Sequence, residues 1–378
     1  MDWKIPLFKI NWTPEDVSKV DAVIRRGTFW AAGPEIIKLE AALALFTGRK
    51  HALVFNSGTS ALHAALLAYG VKGHEVIVPT FTFISGVNTI VLAGGKPVFA
   101  ESENETYGLD AADVEKRVTP NTKAIVPIHY GGKVSRDIEK LRILCDKHKL
   151  ILIEDAAESI GAMLNGKQTG SFGHATMFSF CQNKIVTSGE GGAIVTDDDK
   201  IYNKMKLLRS HGRLELSEDY FATTKDNDYL ELGYNDRMSS LTAALALSQL
   251  SRIDAIIAKR QAVAEKISTG LRKIKEITLP TTSPTATHVF QMYTIRLPDR
   301  TIRDGLQKHL EEKRIQTKVY FNPVHLKTYY KREFGGHPGQ LPFTEKLSGQ
   351  VLYLPIYENM TDEEITYMTD AIKEFFKK

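Results

Sequence analysis

Cysteine is scarce in this chain. Only Cys145 and Cys181 are present, too few for a disulfide framework or for a zinc site built from thiolates alone. Long hydrophobic runs are missing too: no apolar stretch approaches the roughly 18 residues that a membrane-crossing helix needs, so no membrane partner is expected. The start, MDWKIPLFKINW, lacks the basic segment and apolar run of a signal peptide, and the cytoplasm is the expected compartment. An excess of one charge is also lacking. Lys and Arg total 49 against 45 Asp and Glu, a formal net of +4. These charges are spread in short mixed runs, which gives no footing for a nucleic-acid partner. There is no internal repeat and no low-complexity segment, and no metal site is expected.

What is present is an ordinary globular composition, 43% hydrophobic and 25% charged over 378 residues. That length exceeds the size at which one core usually stops growing, so a large unit and a smaller one are expected. Short apolar runs alternate with helical patterns through the first two-thirds. Strands are expected at His51–Phe55, Glu75–Pro79, Pro97–Ala100, Ala124–His129, Leu150–Glu154, Met177–Phe180 and Ala193–Thr196. Several lack apolar/polar alternation, the sign of a strand buried on both faces. The fold class is therefore α/β, with a mostly parallel central sheet, helices on both of its faces and a smaller C-terminal α+β unit. The large unit is expected over residues 1–255, with an N-terminal arm over 1–30, and the small one over 256–378. A long connecting helix is expected from Ile253 to about Ile274, and a polar loop from Leu214 to Asp228.

Three segments carry chemistry. In NSGTSAL, Asn56 to Leu62, an apolar strand ends in a small-residue turn and an Ala/Leu-rich helix begins. Gly58 lets the chain turn tightly, and Thr59 and Ser60 bring hydroxyls and amides to the positive end of a helix dipole, a setting suited to phosphate. An ordinary N-capped helix is the rival reading. In ILIEDAAESIGA, Ile151 to Ala162, a buried run ends on Glu154 and Asp155, at the strand edge where open α/β sheets hold ligands. A carboxylate there needs a positive partner, and a protonated pyridine nitrogen would be one. The rival is a helix-capping acid. In FSFCQNKIVTSGEGGAIVT, Phe178 to Thr196, Lys184 lies between two apolar strands. Ser179 precedes it, and Gly189, Gly191 and Gly192 follow, permitting close backbone approach to a bulky ligand. A lysine amine so placed can lose its proton and attack a carbonyl. GAMLNGKQ, Gly161 to Gln168, nearly matches a nucleotide-binding loop. Gln168 stands where Ser or Thr would hold magnesium, and Asn-Gly reads better as a hairpin turn.

Taken in order, SGTSAL, PTFTF, EDAAESIGA, SFCQNK with GEGG, and GYNDRMS resemble the DegT/DnrJ/EryC1/StrS sugar aminotransferases, which have the type I fold of pyridoxal-phosphate enzymes. The resemblance runs from WAAGPEIIKLEAALA near Trp30 to PVHLKTYY around His325. It implies that Lys184 holds pyridoxal 5′-phosphate as a Schiff base and that Asp155 pairs with the pyridine nitrogen. Gly58, Thr59 and Ser179 would sit at the phosphate, and Phe83 would stack on the ring, with a core phenylalanine as its rival reading. Asn235 would reach the partner's cofactor phosphate across a homodimer, and Arg237 and His325 would contact substrate. Glu158 lies where many relatives carry Gln or His near the ring oxygen, and Asp236 and Thr242 also depart from the family pattern. The implied reaction moves an amino group from an amino acid, usually glutamate, to a nucleotide-linked keto-sugar by ping-pong half-reactions. EDAAESIGA with Asn183–Lys184 is most similar to members that aminate C4 of a 4-keto-6-deoxyhexose, perosamine synthases among them; amination of a 3-keto sugar is the alternative. A dehydratase of the same fold carries His in place of the lysine, so Lys184 argues against it. A non-catalytic cofactor-binding regulator is the remaining reading, and no DNA-binding helix pair supports it.

Overall fold

The computed structural model describes residues 2–214, 228–281 and 283–377; most of the loop expected from Leu214 to Asp228 lies outside the described residues. Strands rich in Val, Ile and Ala form where the chain is covered on both sides. They are β1 (His51–Phe55), β2 (Glu75–Pro79), β3 (Lys96–Ala100), β4 (Thr122–Ile125) and β5 (Ile151–Asp155). A short hairpin follows, β6 (Met163–Leu164) and β7 (Lys167–Gln168), and then β8 (Ala175–Ser179) and β9 (Gly192–Thr196). The hairpin turns on Asn165 and Gly166, both at positive φ, as Asn-Gly favours. The expected strand Ala124–His129 is shorter than its apolar run, because Pro127 has no N–H to give the ladder.

The central sheet has the order β1-β9-β8-β5-β4-β2-β3. All neighbours are parallel except at β9, which runs antiparallel to both β1 and β8. Successive strand residues enter different apolar clusters. Val54 and Leu152 join Leu39, Leu43, Ile138 and Leu141 on one side, while Leu53 and Ile153 join Ala61, Leu62, Val87 and Ile90 on the other. Each of these clusters carries residues of helices, so the sheet is covered on both faces and its strands need no alternation. The parallel strands deliver their carboxyl ends, and β9 its amino end, to one edge. That edge holds the candidate site.

The third apolar cluster is built mostly from the C-terminal part. Beyond β10 (Ala286–Thr287), the strands β11 (Tyr293–Arg296) and β12 (Val351–Leu354) pair antiparallel beside the helices Arg300–Glu312 and Asp362–Phe376. The long helix runs from Ile253 to Leu271, a little shorter than its apolar pattern. Ile253, Ile256 and Ile257 belong to the sheet's cluster, and Val263, Ala264, Ile267 and Leu271 to the C-terminal one. The first residues do not form an arm of the large unit. Ile5 and Leu7 are buried in the C-terminal cluster, with Ile5 bridged to Ile315 and the Leu7 amide donating to Gln316 Oε1 at 2.9 Å. Among the described residues no single helix is long and apolar enough to cross a membrane.

Candidate active site

The first wall of the site is the turn after β1. Ser57, in extended backbone, caps the helix Gly58–Ala68 by accepting from the Ser60 amide at 3.0 Å. Gly58 and Thr59 thus occupy the first two helical positions, where amides have no intrahelical acceptor and favour an anion. The main chain is tightly packed here. A methyl group at Gly58 would lie 3.1 Å from the Ser179 Cβ and the Met177 Sδ, and one at Gly192 would lie 2.5 Å from the Gly58 Cα. The turn is thereby held against the end of β8, where Ser179 stands, and the start of β9. Ser179 Oγ accepts from the Cys181 amide at 3.4 Å.

The end of β5 separates the two acids singled out from sequence. Pleating sends adjacent side chains to opposite faces. Glu154, fully buried, accepts from the amides of Phe172 (2.9 Å) and Gly173 (2.7 Å), from the Thr176 hydroxyl (2.7 Å), and pairs with His129 Nε2 at 2.9 Å. The Ser135 amide donates to His129 Nδ1, which assigns the ring proton to Nε2 and its hydrogen bond to Glu154. These donors hold the Glu154 carboxyl below its ordinary value despite its burial. Glu154 is structural. Asp155, also buried, accepts from the Ala157 amide at 3.1 Å and has no comparable shell. Burial pushes it up to about 6, helped by the Glu158 charge and opposed by the Ala157 amide and the Lys184 amine. An acid so placed fits a cationic ring nitrogen as its partner.

Lys184 lies in the loop between β8 and β9, largely buried, with its Nζ 3.8 Å from Glu158 Oε1. Glu158 is itself held by the Gly131 amide, which donates to its Oε2 at 2.8 Å. Phe83 precedes the helix Ile84–Leu92 and is 55% exposed, whereas Phe81 in the same run is 0% exposed. The core role weighed for Phe83 belongs to Phe81. Phe83 lies just beyond the carboxyl end of β2, exposed, its ring centroid 6.3 Å from that of Phe321.

The structure therefore brings Gly58, Thr59, Ser179, Asp155, Glu158, Lys184 and Phe83 to one sheet edge. Asn235 is exposed on an extended segment that lies beside the same turn. Its carbonyl accepts from the Asn56 side chain at 3.2 Å, and the Asp236 carbonyl accepts from the Asn56 amide at 2.9 Å. Arg237 Nη1 donates to Ser210 Oγ at 3.2 Å. His325 is a correction. Its ring is fully buried, with Nδ1 2.7 Å from Thr80 Oγ1 and Nε2 3.2 Å from Glu345 Oε1. Both nitrogens are engaged, so no atom is left for a substrate. Two glycines escaped notice in the sequence. A methyl at Gly86 would lie 3.6 Å from Asp155 Oδ2, and Gly131, at φ 67°, supplies the amide that holds Glu158. A glycine inside a helical run and a Gly-Gly pair after a buried strand were the available signals.

Residues 11–373 match the DegT/DnrJ/EryC1/StrS aminotransferase family. The chain is 37% identical over 353 residues to GDP-perosamine synthase of Caulobacter vibrioides, covering 92% of each. It superposes on PseC of Helicobacter pylori, described as an aminotransferase involved in the biosynthesis of pseudoaminic acid, with a TM-score of 0.92, 28% identity and 99% coverage of both chains. DesV of S. venezuelae, solved in complex with a ketimine intermediate, aligns with a TM-score of 0.90 at 32% identity over 100% of both chains. The buried, raised Asp155, the helix-starting turn at Gly58–Thr59 and the largely buried Lys184 fit the cofactor of that family. The chain belongs to the DegT/DnrJ/EryC1/StrS aminotransferases and uses pyridoxal 5′-phosphate.

Proposed function

We propose that the enzyme moves an amino group from an amino acid, L-glutamate, to C4 of a nucleotide-linked 4-keto-6-deoxyhexose. The observation that carries the reaction class is the meeting of Lys184, Glu158 and Asp155 at one edge of the sheet. The choice of sugar is supported by the similarity to GDP-perosamine synthases, at 37%, 35% and 32% identity over most of the chain.

Pyridoxal phosphate, when bound, supplies an electron-withdrawing ring that stabilises charge on the carbon losing its proton and carries the amino group between substrates. The Gly58 and Thr59 amides and the Ser179 hydroxyl take its phosphate, and Phe83 covers the ring. The Asp155 carboxylate keeps the ring nitrogen protonated. Glu158, anchored on the Gly131 amide, holds the Lys184 amine close by. Lys184 Nζ would take the proton from the donor's α-carbon and hand it, on the same face, to the cofactor carbon that carries the amino group, base and acid in turn. Arg237 contacts substrate at the mouth of the site. His325 is left out of this reading.

Asn235 reaches the partner's phosphate in a homodimer. Supporting this, its segment carries exposed Tyr229, Leu230, Leu232 and Tyr234, an apolar surface of the kind that marks an interface. The reading also takes the chain as two units, 1–255 and 256–378, working in the cytoplasm, with the segment around Ile5 and Leu7 packed on the second. The division is supported by the apolar clusters that part along the helix Ile253–Leu271.

Purified enzyme loaded with pyridoxal phosphate is expected to absorb in the visible range, and glutamate to bleach that band. Lys184→Ala should lose both the band and at least about 100-fold in turnover. A wild-type protein that develops no band after incubation with pyridoxal phosphate would refute the reading. Among keto-sugar nucleotides, a GDP-linked 4-keto-6-deoxyhexose should show the highest kcat/KM.

A further inference from the structure

The loop that carries Lys184 is tied at its base and first turn by its own main chain. The Phe180 amide donates to the Gly191 carbonyl at 2.8 Å, Ser188 to Phe180 at 2.9 Å, and Lys184 to Cys181 at 2.9 Å. The peptide groups on either side of the lysine are held from elsewhere. Gln291, only 2% exposed, comes from the segment just before β11. Its Oε1 accepts from the Ile185 amide at 3.0 Å, and its Nε2 donates to the Asn183 carbonyl at 2.7 Å. One planar carboxamide therefore brackets Lys184, bonding the residue before it and the residue after it.

Gln291 is itself anchored. Its carbonyl accepts from Arg260 Nη2 at 3.1 Å, and Arg260 Nε donates to the Phe290 carbonyl at 2.8 Å. Arg260 pairs with Glu358 at 2.8 Å, both 5% exposed. A buried pair of this kind is costly to disturb, so Arg260 and the main chain it grips form a firm base. Bonded groups thus run without a break from the Arg260–Glu358 pair through Gln291 to the two peptide groups flanking the lysine. The chemistry of the side chain matters. The bracket needs an acceptor and a donor on one flat group, which Gln has, Glu has by half and Leu lacks.

We propose that Gln291 is a positioning residue that aims the Lys184 amine into the site and couples the C-terminal part of the chain to the reacting lysine. This rests on the role of Lys184 proposed above. Displacement of a reacting group by about 1 Å can cost on the order of 100-fold in rate, so a lost bracket should appear in turnover before it appears in binding.

The test compares Gln291→Leu, Gln291→Glu and wild type, each loaded with pyridoxal phosphate. Borohydride reduction followed by mass mapping measures the fraction of cofactor attached to Lys184, and a spectrophotometric pH titration gives the midpoint of the visible band. Kinetics separate kcat from KM for glutamate, and urea unfolding reports stability. Gln291→Leu should bind the cofactor but show a displaced midpoint, less attachment at Lys184 and a kcat lower by about 10- to 100-fold, with KM changed much less. Gln291→Glu, which keeps the acceptor for Ile185 and can donate to the Asn183 carbonyl only as the protonated acid, should recover part of each effect toward acid pH. Should the leucine variant fail to fold, the glutamate variant against wild type carries the same test. Wild-type midpoint, attachment and kcat in the variants would overturn the bracket, as would losses that merely follow unfolding stability. A wild type that attaches no cofactor at Lys184 would overturn the underlying reading instead.

Discussion

Glu154 and Asp155 are neighbours on β5, equally hidden from solvent, and they do opposite things. Glu154 points to the side where the Phe172 and Gly173 amides, Thr176 and His129 converge on it. Asp155 points to the side where the Ala157 amide is its hydrogen-bond donor and Glu158 raises it further. One carboxylate is saturated by the fold and the other is left for a ligand. Burial of an acid thus says little about function; what distinguishes the two is whether the fold has already supplied the hydrogen-bond donors. Their pH responses run in opposite directions. Glu154 is lowered in the fold, so its contribution is present above the ordinary carboxylate range and lost as pH falls through its folded value. Asp155 is raised to about 6, so the cofactor-free fold loses stability as pH rises from about 4 through 6.

The contrast can be broken most forcefully at Glu154. Glu154→Ala should cost about 3–5 kcal/mol in urea unfolding, because it strands His129 and several buried donors; a loss below about 1 kcal/mol would place Glu154 with Asp155 as a spare acid. His325 extends the comparison to a second saturated group. His325→Ala should lower stability by about 1–3 kcal/mol while leaving the KM values for glutamate and keto-sugar unchanged, and a raised KM would return His325 to the substrate site. The smallest effect sharpens the other side. Below about pH 6 Asp155 is protonated, and a ring nitrogen that arrives protonated must expel that proton. Cofactor affinity, measured by fluorescence titration of the apoenzyme, should then weaken about tenfold per pH unit, about 1.4 kcal/mol. Asp155→Asn should bind more weakly near neutrality and lose that slope.

Much of this was legible in the sequence. The strands announced themselves because burial on both faces leaves unbroken apolar runs, and Asn165-Gly166 announced its hairpin. The seven residues gathered at the sheet edge were each marked by a strand-end motif. The split between Glu154 and Asp155 was not legible: alternation says that they face apart, without saying which face holds the ligand. Nor could the sequence place Ile5 and Leu7 in the C-terminal cluster or His325 between Thr80 and Glu345. Such contacts join residues from 20 to more than 300 positions apart, and no local pattern encodes them. The two readings of Phe83, stacking ring or core ring, stayed open in the sequence for a related reason. Alternation puts both on one side, and only the turn into the helix at Ile84 separates a buried ring from an exposed one.

The contact between Gly58 and Gly192 has a consequence for anyone redesigning the enzyme. Main chain touches main chain there, with no room for even a methyl group between the phosphate turn and the strand that follows the lysine loop. On the proposed reading, the turn that takes the cofactor's phosphate and the strand after the lysine loop are thus joined at a single rigid contact. A library that varies Gly192 would be spent largely on misfolded protein, whereas a methyl at Gly58 meets first the Met177 and Ser179 side chains, at 3.1 Å. New substrates must be sought by reshaping what surrounds that contact: Phe83, Arg237 and the apolar segment around Asn235.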